Sequence, residues 1–174
     1  MRKLILGVAV SLDGFIEGPN GEYDWCLTDQ DYGLSDFFKR LDALFIGRKT
    51  YEMMLAMGDD PSPGFPRLKE YVFSNSLNKV EGERILINGD LAKEVNKIKK
   101  EPGKNIWLFG GAVLTTSFIH LDLVDEMALA VHPVLLGAGK TLFQNIPDRV
   151  PLQLINTQTY PSGLVMLSYK FQSQ

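Results

Sequence analysis

Ile46-Gly47-Arg48-Lys49-Thr50-Tyr51-Glu52 joins an apolar strand end, a glycine turn, two cations and a helix start in one short run. Residues 43–46 read as a buried strand, Gly47 permits a tight exit, and Thr50 is placed to cap a helix over 51–57. Arg48 and Lys49 then stand at a helix N-terminus, where free backbone N–H groups, the helix dipole and full positive charges converge. A fold builds a phosphate site in this way, so a phosphorylated cofactor is the first expectation. By themselves the two cations are equally compatible with solvated loop charges. The rest of the chain has to decide.

With 174 residues, 45% hydrophobic and 22% charged, the chain suits one domain over 1–174 and is short for two. A net charge of -3 argues against a nucleic-acid partner and leaves a small-molecule substrate as the expected one. Cys26 is the only cysteine, so no internal disulfide and no cysteine-rich zinc site can form, and no other metal-ligating set is seen. A reducing, cytoplasmic setting is expected. Residues 4–10 follow a basic start, but the apolar run is short and ends in Ser11-Leu12-Asp13-Gly14 without a cleavage site. A first buried strand is the better reading than a signal peptide, and no run is long enough to span a membrane.

The run 4–10 is almost uniformly apolar, as a strand covered on both faces should be. A glycine- and proline-rich loop follows over 11–21, of the kind that covers ligands. Leu34, Phe37, Phe38 and Leu41 mark a helix over 35–42 with Ser35 as its cap. The breaker-dense run 58–66 is read as irregular surface. A strand over 70–74 ends in Ser74-Asn75-Ser76, side chains suited to donate to an oxyanion.

A strand over 84–88 leads to Asp90 as the cap of a helix with Leu91, Val95 and Ile98 on its apolar face. Favourable charge against that helix's dipole suffices for Lys97, Lys99 and Lys100. The strand 105–109 runs directly into Gly110-Gly111-Ala112-Val113 and a helix with Leu114, Phe118 and Leu121 on one face. Strand, paired glycines and helix N-terminus make a second candidate phosphate cradle. A strand over 127–131 and a hairpin of 152–160 with 164–171 complete an α/β chain with a mainly parallel sheet.

Other motifs fall away. Gly137-Ala138-Gly139-Lys140-Thr141 lacks the glycine that a triphosphate-binding loop needs, since Val134 stands there, and no long helix can follow it. No Gly-x-Gly-x-x-Gly turn and no Gly-x-Ser-x-Gly elbow occur, so neither an ordinary Rossmann site nor a hydrolase is indicated. His120 and His132 each stand alone in apolar sequence and read as core or interface residues. Asp13, Asp36, Glu52, Asp125 and Glu126 are left as possible acids, each more often a cap or surface charge than a catalyst.

Gly47-Arg48-Lys49-Thr50-Tyr51-Glu52 resembles the cofactor signature of dihydrofolate reductases, and Gly110-Gly111 resembles their paired glycines, commonly joined by a cis peptide. Ser11-Leu12-Asp13-Gly14, Leu123-Val124-Asp125-Glu126 and Pro133-Val134-Leu135-Leu136-Gly137-Ala138-Gly139 resemble more closely the reductase domain of bifunctional riboflavin-biosynthesis deaminase/reductases. The resemblance implies a dihydrofolate-reductase-like three-layer α/β/α fold that binds NADPH. Arg48, Lys49 and Thr50 after Gly47 would hold phosphates, and Ser74 and Asn75 would approach the adenosine 2′-phosphate. Gly110, Gly111, Ala112 and Val113 would cradle the pyrophosphate, with Ala9 and Ile16 flanking the nicotinamide.

The implied activity is that of a stand-alone reductase acting on a pyrimidine- or pteridine-related compound, with 5-amino-6-(5-phosphoribosylamino)uracil reduction as its nearest parallel. Asp13 is the candidate proton donor. The chain departs from the pattern at Phe109, where riboflavin reductases carry Glu, at Asp59-Asp60-Pro61, which comes late, and at Leu34, where dihydrofolate reductases place a carboxylate that Asp36 here carries further along. Dihydrofolate-reductase-type activity, or a non-catalytic nucleotide-binding domain, are the alternatives. A homodimer is implied as well, with Leu129, Val131, Val165, Leu167 and Tyr169 as the apolar material for it.

Overall fold

The computed structural model describes residues 1–58, 65–146 and 148–172. Most of the breaker-dense run, including the Asp59-Asp60-Pro61 departure, lies outside the described residues. Six strands run parallel: β1 (Leu4–Ser11), β3 (Leu41–Gly47), β4 (Lys69–Phe73), β5 (Ile85–Ile87), β6 (Asn105–Gly110) and β7 (Glu126–His132). The hairpin β9 (Leu152–Thr159) and β10 (Val165–Phe171) adds antiparallel to β7, giving the order β5-β4-β3-β6-β1-β7-β10-β9. A second, two-stranded sheet pairs β2 (Phe15–Glu17) with β8 (Lys140–Thr141).

Alternation along the central strands decides which helix covers which face. Leu4, Leu6, Phe45, Phe73, Ile106 and Leu108 point into a core closed by Val95 and Ile98 of α3 (Leu91–Lys100) and Leu114 and Phe118 of α4 (Ala112–His120). Ile5, Leu44, Ile46, Val72 and Trp107 point to the opposite face, under Phe37 and Phe38 of α1 (Leu34–Lys39) and Tyr51 and Met54 of α2 (Arg48–Ala56). The result is the expected three layers, with strands apolar on both faces because both are covered.

Several local expectations are corrected. Thr50 is no cap: α2 starts at Arg48 with Gly47 in the N-cap position, and Thr50 is buried in the first turn. Ser35 does not cap α1 either. The Asp31 carboxylate accepts from the Ser35 and Gly33 amides at 3.0 and 3.1 Å instead. Leu41 continues the helical spacing of 34, 37 and 38 but opens β3 opposite Asn105, whose amide donates to the Arg40 carbonyl at 2.9 Å. Strand pairing overrides the local periodicity there. Leu121 lies just past the end of α4 and is 45% exposed. Lys99 is more than a dipole partner: it is 4% exposed, pairs with Asp125 at 2.6 Å and donates to the Leu123 carbonyl at 3.1 Å. Asp90 does cap α3, accepting from the Lys93 amide at 3.0 Å.

Gly7 shows where backbone approach dictates residue type. Trp107 Nε1 donates to the Gly7 carbonyl at 2.8 Å, and a Cβ on Gly7 would stand 2.7 Å from both the Phe37 ring and that nitrogen. At Gly47 a Cβ would meet nothing closer than 3.5 Å. Gly7→Ala should therefore lose about 1–3 kcal/mol of stability through overpacking, while Gly47→Ala keeps the wild-type urea midpoint. Equal midpoints for Gly7→Ala and wild type would refute this account of the aromatic packing.

Candidate functional site

The register of the parallel strands brings their C-terminal ends to one edge. Ile46 pairs with Gly110 and Gly47 with Phe73, so α2, Ser74 and the paired glycines emerge side by side. Beneath them lies a cleft of about 1290 Å³. Its wall includes eleven of the twelve residues expected to hold a cofactor: Ala9, Ile16, Gly47, Arg48, Lys49, Thr50, Ser74, Asn75, Gly111, Ala112 and Val113. Gly110 is set back, with φ 116°, a conformation that favours glycine, and the Gly110–Gly111 peptide is cis.

α2 and α4 both point their N-termini at this edge, and neither N-cap residue, Gly47 or Gly111, makes a side-chain hydrogen bond to the first turn. The first-turn amides thus lie open to an anion. Glu52 holds Arg48 in place, accepting at 2.8 and 3.0 Å, while Lys49 is exposed and, among the described residues, makes no ion pair. Ser74 Oγ accepts from the Ser76 and Leu77 amides, and Asn75 Oδ1 from the Gly89 amide at 2.9 Å, so this turn is preformed.

The glycines at 47 and 111 have ordinary backbone angles, φ −86° and −79°. A Cβ at Gly111 would first meet Thr50 Oγ1 at 3.5 Å, an ordinary contact. Packing within the chain therefore does not demand glycine at either position. Both glycines leave the cleft edge free of a side chain at the two helix starts.

The expected acids do not line the cleft. Asp13 accepts from Ser11 Oγ at 2.6 Å, from the Gly137 amide at 2.8 Å and from the Leu136 amide, tying the loop after β1 to the loop after β7. The Ser11 bond first, and the two amides with it, hold its carboxyl below the usual range. Asp36 is 84% exposed at the side chain and pairs with Lys39 at 2.8 Å. The carboxylates that do line the cleft are Glu17, paired with Lys140 at 3.0 Å, and Glu70, paired with Arg84 at 2.6 Å.

Three site residues had no signal in the linear pattern. Lys140 reaches the cleft from a turn that fails as a nucleotide loop, and its Nζ lies 4.0 Å from where a Gly111 Cβ would sit. Gly139 makes this possible, since a Cβ there would collide with the Glu17 carbonyl at 2.2 Å. His132, at the end of β7, lines the cleft though only 2% exposed, with Nδ1 2.9 Å from the Ala130 carbonyl and Nε2 unpartnered. Trp25 packs edge-on against it at 5.3 Å. Only its place beside Ser11, at the end of a strand next to β1, could have marked it. Burial pushes the Cys26 thiol, also in the wall, up to about 11, so it is a neutral surface and no nucleophile.

The family model for the RibD C-terminal domain matches residues 2–166. The chain belongs to this family. Among its relatives, the protein YyaP of Bacillus subtilis (strain 168), described as uncharacterized, is 46% identical over 97% of this chain and 94% of its own. A putative riboflavin biosynthesis protein from Shewanella sp. PV-4 superimposes with a TM-score of 0.86 at 27% identity, covering 99% of this chain and 100% of that one. Dihydrofolate reductase from Enterococcus faecalis, solved with NADP(H), gives 0.71 at 18% identity over 98% and 97%. RibD C-terminal domains and dihydrofolate reductases thus share the architecture found here, hairpin included.

Burial lowers the pKa of His132 from its ordinary 6.5, with the bond to the Ala130 carbonyl opposing it in part. A depressed imidazole leaves the unfolded chain to take up the proton first as pH falls below 6.5. Its contribution is therefore complete above that value and declines until the folded-state pKa is passed. Between about pH 8 and about pH 5 the melting temperature of wild type should fall more steeply than that of His132→Gln. Parallel curves would show that the imidazole is not held neutral.

Proposed function

We propose that this RibD C-terminal domain, spanning 1–174, is an NADPH-dependent reductase delivering hydride to a C=N or C=O carbon of a pyrimidine- or pteridine-related ring. The observation that carries the reading is the pair of uncapped helix N-termini, at Gly47 and Gly111, opening into one cleft beside Arg48, Lys49 and Lys140. One such site fits a phosphate; two at adjacent strand ends fit a dinucleotide. The Thr50 hydroxyl and the α4 amides suit the pyrophosphate, and Lys49 with the Ser74–Ser76 turn suits a 2′-phosphate. Bound there, NADPH would supply the hydride.

The chain's own contribution is orientation and exclusion of water. Ala9, Ala128 and Ala130 keep the sheet floor low enough for a ring to lie on it, and Ile16 closes from the loop side. Because both carboxylates in the wall are ion-paired, we assign the accompanying proton to solvent at the cleft mouth. The same absence of an unpaired wall carboxylate among the described residues favours, as a second reading, nucleotide binding without turnover. NADPH oxidation with candidate rings separates the two. Among the described residues no helix is long and apolar enough to cross a membrane. A cytoplasmic setting is proposed on the single cysteine of the sequence.

Calorimetric titration should give tighter binding of NADPH than of NADH, and Gly111→Ala, whose Cβ would meet nothing closer than 3.5 Å, should keep its fold and lose about tenfold or more in NADPH affinity. Equal affinity for the two cofactors, or an unaffected mutant, would remove the support for this site.

We propose a homodimer as well, on a different surface from the expected one. Leu129, Val131, Leu167 and Tyr169 pack into the core, whereas the edge strand β9 is exposed throughout, with Leu152, Leu154 and Ile155 at 38%, 52% and 53%. An exposed apolar edge strand invites pairing. Light scattering should give twice the 19.5 kDa chain mass, and Ile155→Lys should halve it; a wild-type mass of one chain at every concentration would dismiss the pairing.

A further inference from the structure

The end of the cleft away from Gly47 and Gly111 differs in chemistry from the phosphate end. Its walls are aromatic: Trp107 is stacked with Phe65 at 5.8 Å and 24°, and meets Phe37 and Phe109 edge-on at 5.6 and 5.0 Å. Its floor is small, with Ala128 and Ala130 paired in register with Gly7 and Ala9. A low floor between ring walls admits a flat molecule and makes poor contact with a bulky one.

Apart from Glu70, which is held in an ion pair with Arg84 at 2.6 Å, the polar groups lining that end are, among the described residues, uncharged. Tyr32 donates to Asp29 at 2.7 Å, Tyr23 points its hydroxyl at Met57 Sδ, Thr28 has a hydroxyl, Cys26 is a protonated thiol, and His132 is a neutral imidazole with a free Nε2 lone pair. The cations lining the cleft, Arg48, Lys49 and Lys140, stand at the other end beside Gly47 and Gly111. The sequence supports the division, because positions 4–38 and 50–58 contain neither Lys nor Arg, while 4–38 carry Asp13, Glu17, Glu22, Asp24, Asp29, Asp31 and Asp36. A phosphate or carboxylate at this end would leave water for a wall where the cation Arg84 is already paired with the Glu70 carboxylate, and for a neighbourhood of negative potential.

We infer that the substrate is a planar heteroaromatic compound bearing no phosphate or carboxylate, lying on the Ala9, Ala128 and Ala130 floor against Trp107 and presenting an N–H to His132 Nε2. The inference deepens the reductase reading and rests on it for which end of the cleft is the substrate's. It departs from the phosphoribosyl compound that is the nearest parallel by sequence. The phosphorylated partner in this cleft is the cofactor alone.

Calorimetry tests it in two steps. NADPH is titrated first, which examines the cofactor reading by itself. The loaded protein is then titrated with two matched pairs: 6-hydroxymethylpterin and its diphosphate, and 5-aminouridine and its 5′-phosphate. The unphosphorylated member should bind at least about tenfold tighter in one pair or both. Phosphorylated members that bind as well or better overturn the inference, and so does a failure of all four compounds to bind the loaded protein. If NADPH itself does not bind, the reductase reading falls, and the same pairs titrated against the free protein still report the slot's preference. Met57→Arg, at a position 63% exposed, adds a cation to the cleft wall without disturbing the core. It should narrow the gap within each pair; an unchanged gap would show that wall charge does not set the preference.

Discussion

The parallel register of β3 against β6 is the constraint on which the site depends. Setting Ile46 opposite Gly110 places the last residues of two strands at the same height, so the helices that follow begin side by side. Neither helix N-terminus alone would hold a long ligand. Together they turn one sheet edge into a strip of unsatisfied backbone donors, reinforced by Arg48 and Lys49 in the first turn of α2. The register is itself secured by cores on both faces: slipping β3 by one residue would exchange Phe45, packed with Phe73 and Phe118, for Leu44 and Ile46, packed under α1 and α2.

A second constraint fixes the cleft's far wall. The loop after β1 is tied to the loop after β7 by the Leu136 and Gly137 amides that donate to Asp13 and by the short β2–β8 pair. That pair closes only because Gly139 lacks a side chain where the Glu17 carbonyl approaches. One consequence is electrostatic. Lys140 is carried across to Gly111, and Glu17, its partner at 3.0 Å, comes with it, so the start of α4 gains a cation whose position is held. Another is that Asp13, chemically able to serve as an acid, is committed to holding two loops together.

Polar groups buried elsewhere also serve architecture. Lys99 joins α3 to the turn before β7 through Asp125 and the Leu123 carbonyl, and Arg2 joins the chain start to Asp42 and to the Lys104 carbonyl at 2.6 Å. Both lie at the N-terminal edge of the sheet, opposite the cleft. At that edge the charges are buried and structural, whereas the cleft edge keeps Lys49 exposed and, among the described residues, without an ion pair. This contrast matches the rule that open α/β sheets bind ligands beyond the carboxyl ends of their strands.

Much of this was legible in the linear chain, and the reason is local. Strand, glycine and helix start follow one another within a few residues at 46–52 and again at 105–113, so the two strand-to-helix junctions and the mainly parallel α/β class were readable from spacing, while the three-layer arrangement was implied by the family resemblance. The limits of legibility are also physical. That Leu41 opens a strand instead of closing a helix depends on its pairing with Asn105, a partner distant in sequence. The roles of Asp13 and Lys140 depend on two loops more than a hundred residues apart meeting over one cleft. His132 looked like a core residue by its neighbours, and it is buried, but only the packing of β7 beside β1 turns its ring towards the cleft. Short-range periodicity and turn chemistry determined most of the elements and the two glycine-led helix starts at the cleft edge. Long-range strand register and loop closure alone decided which side chains share the cleft, because those contacts join parts of the chain that carry no signal of one another.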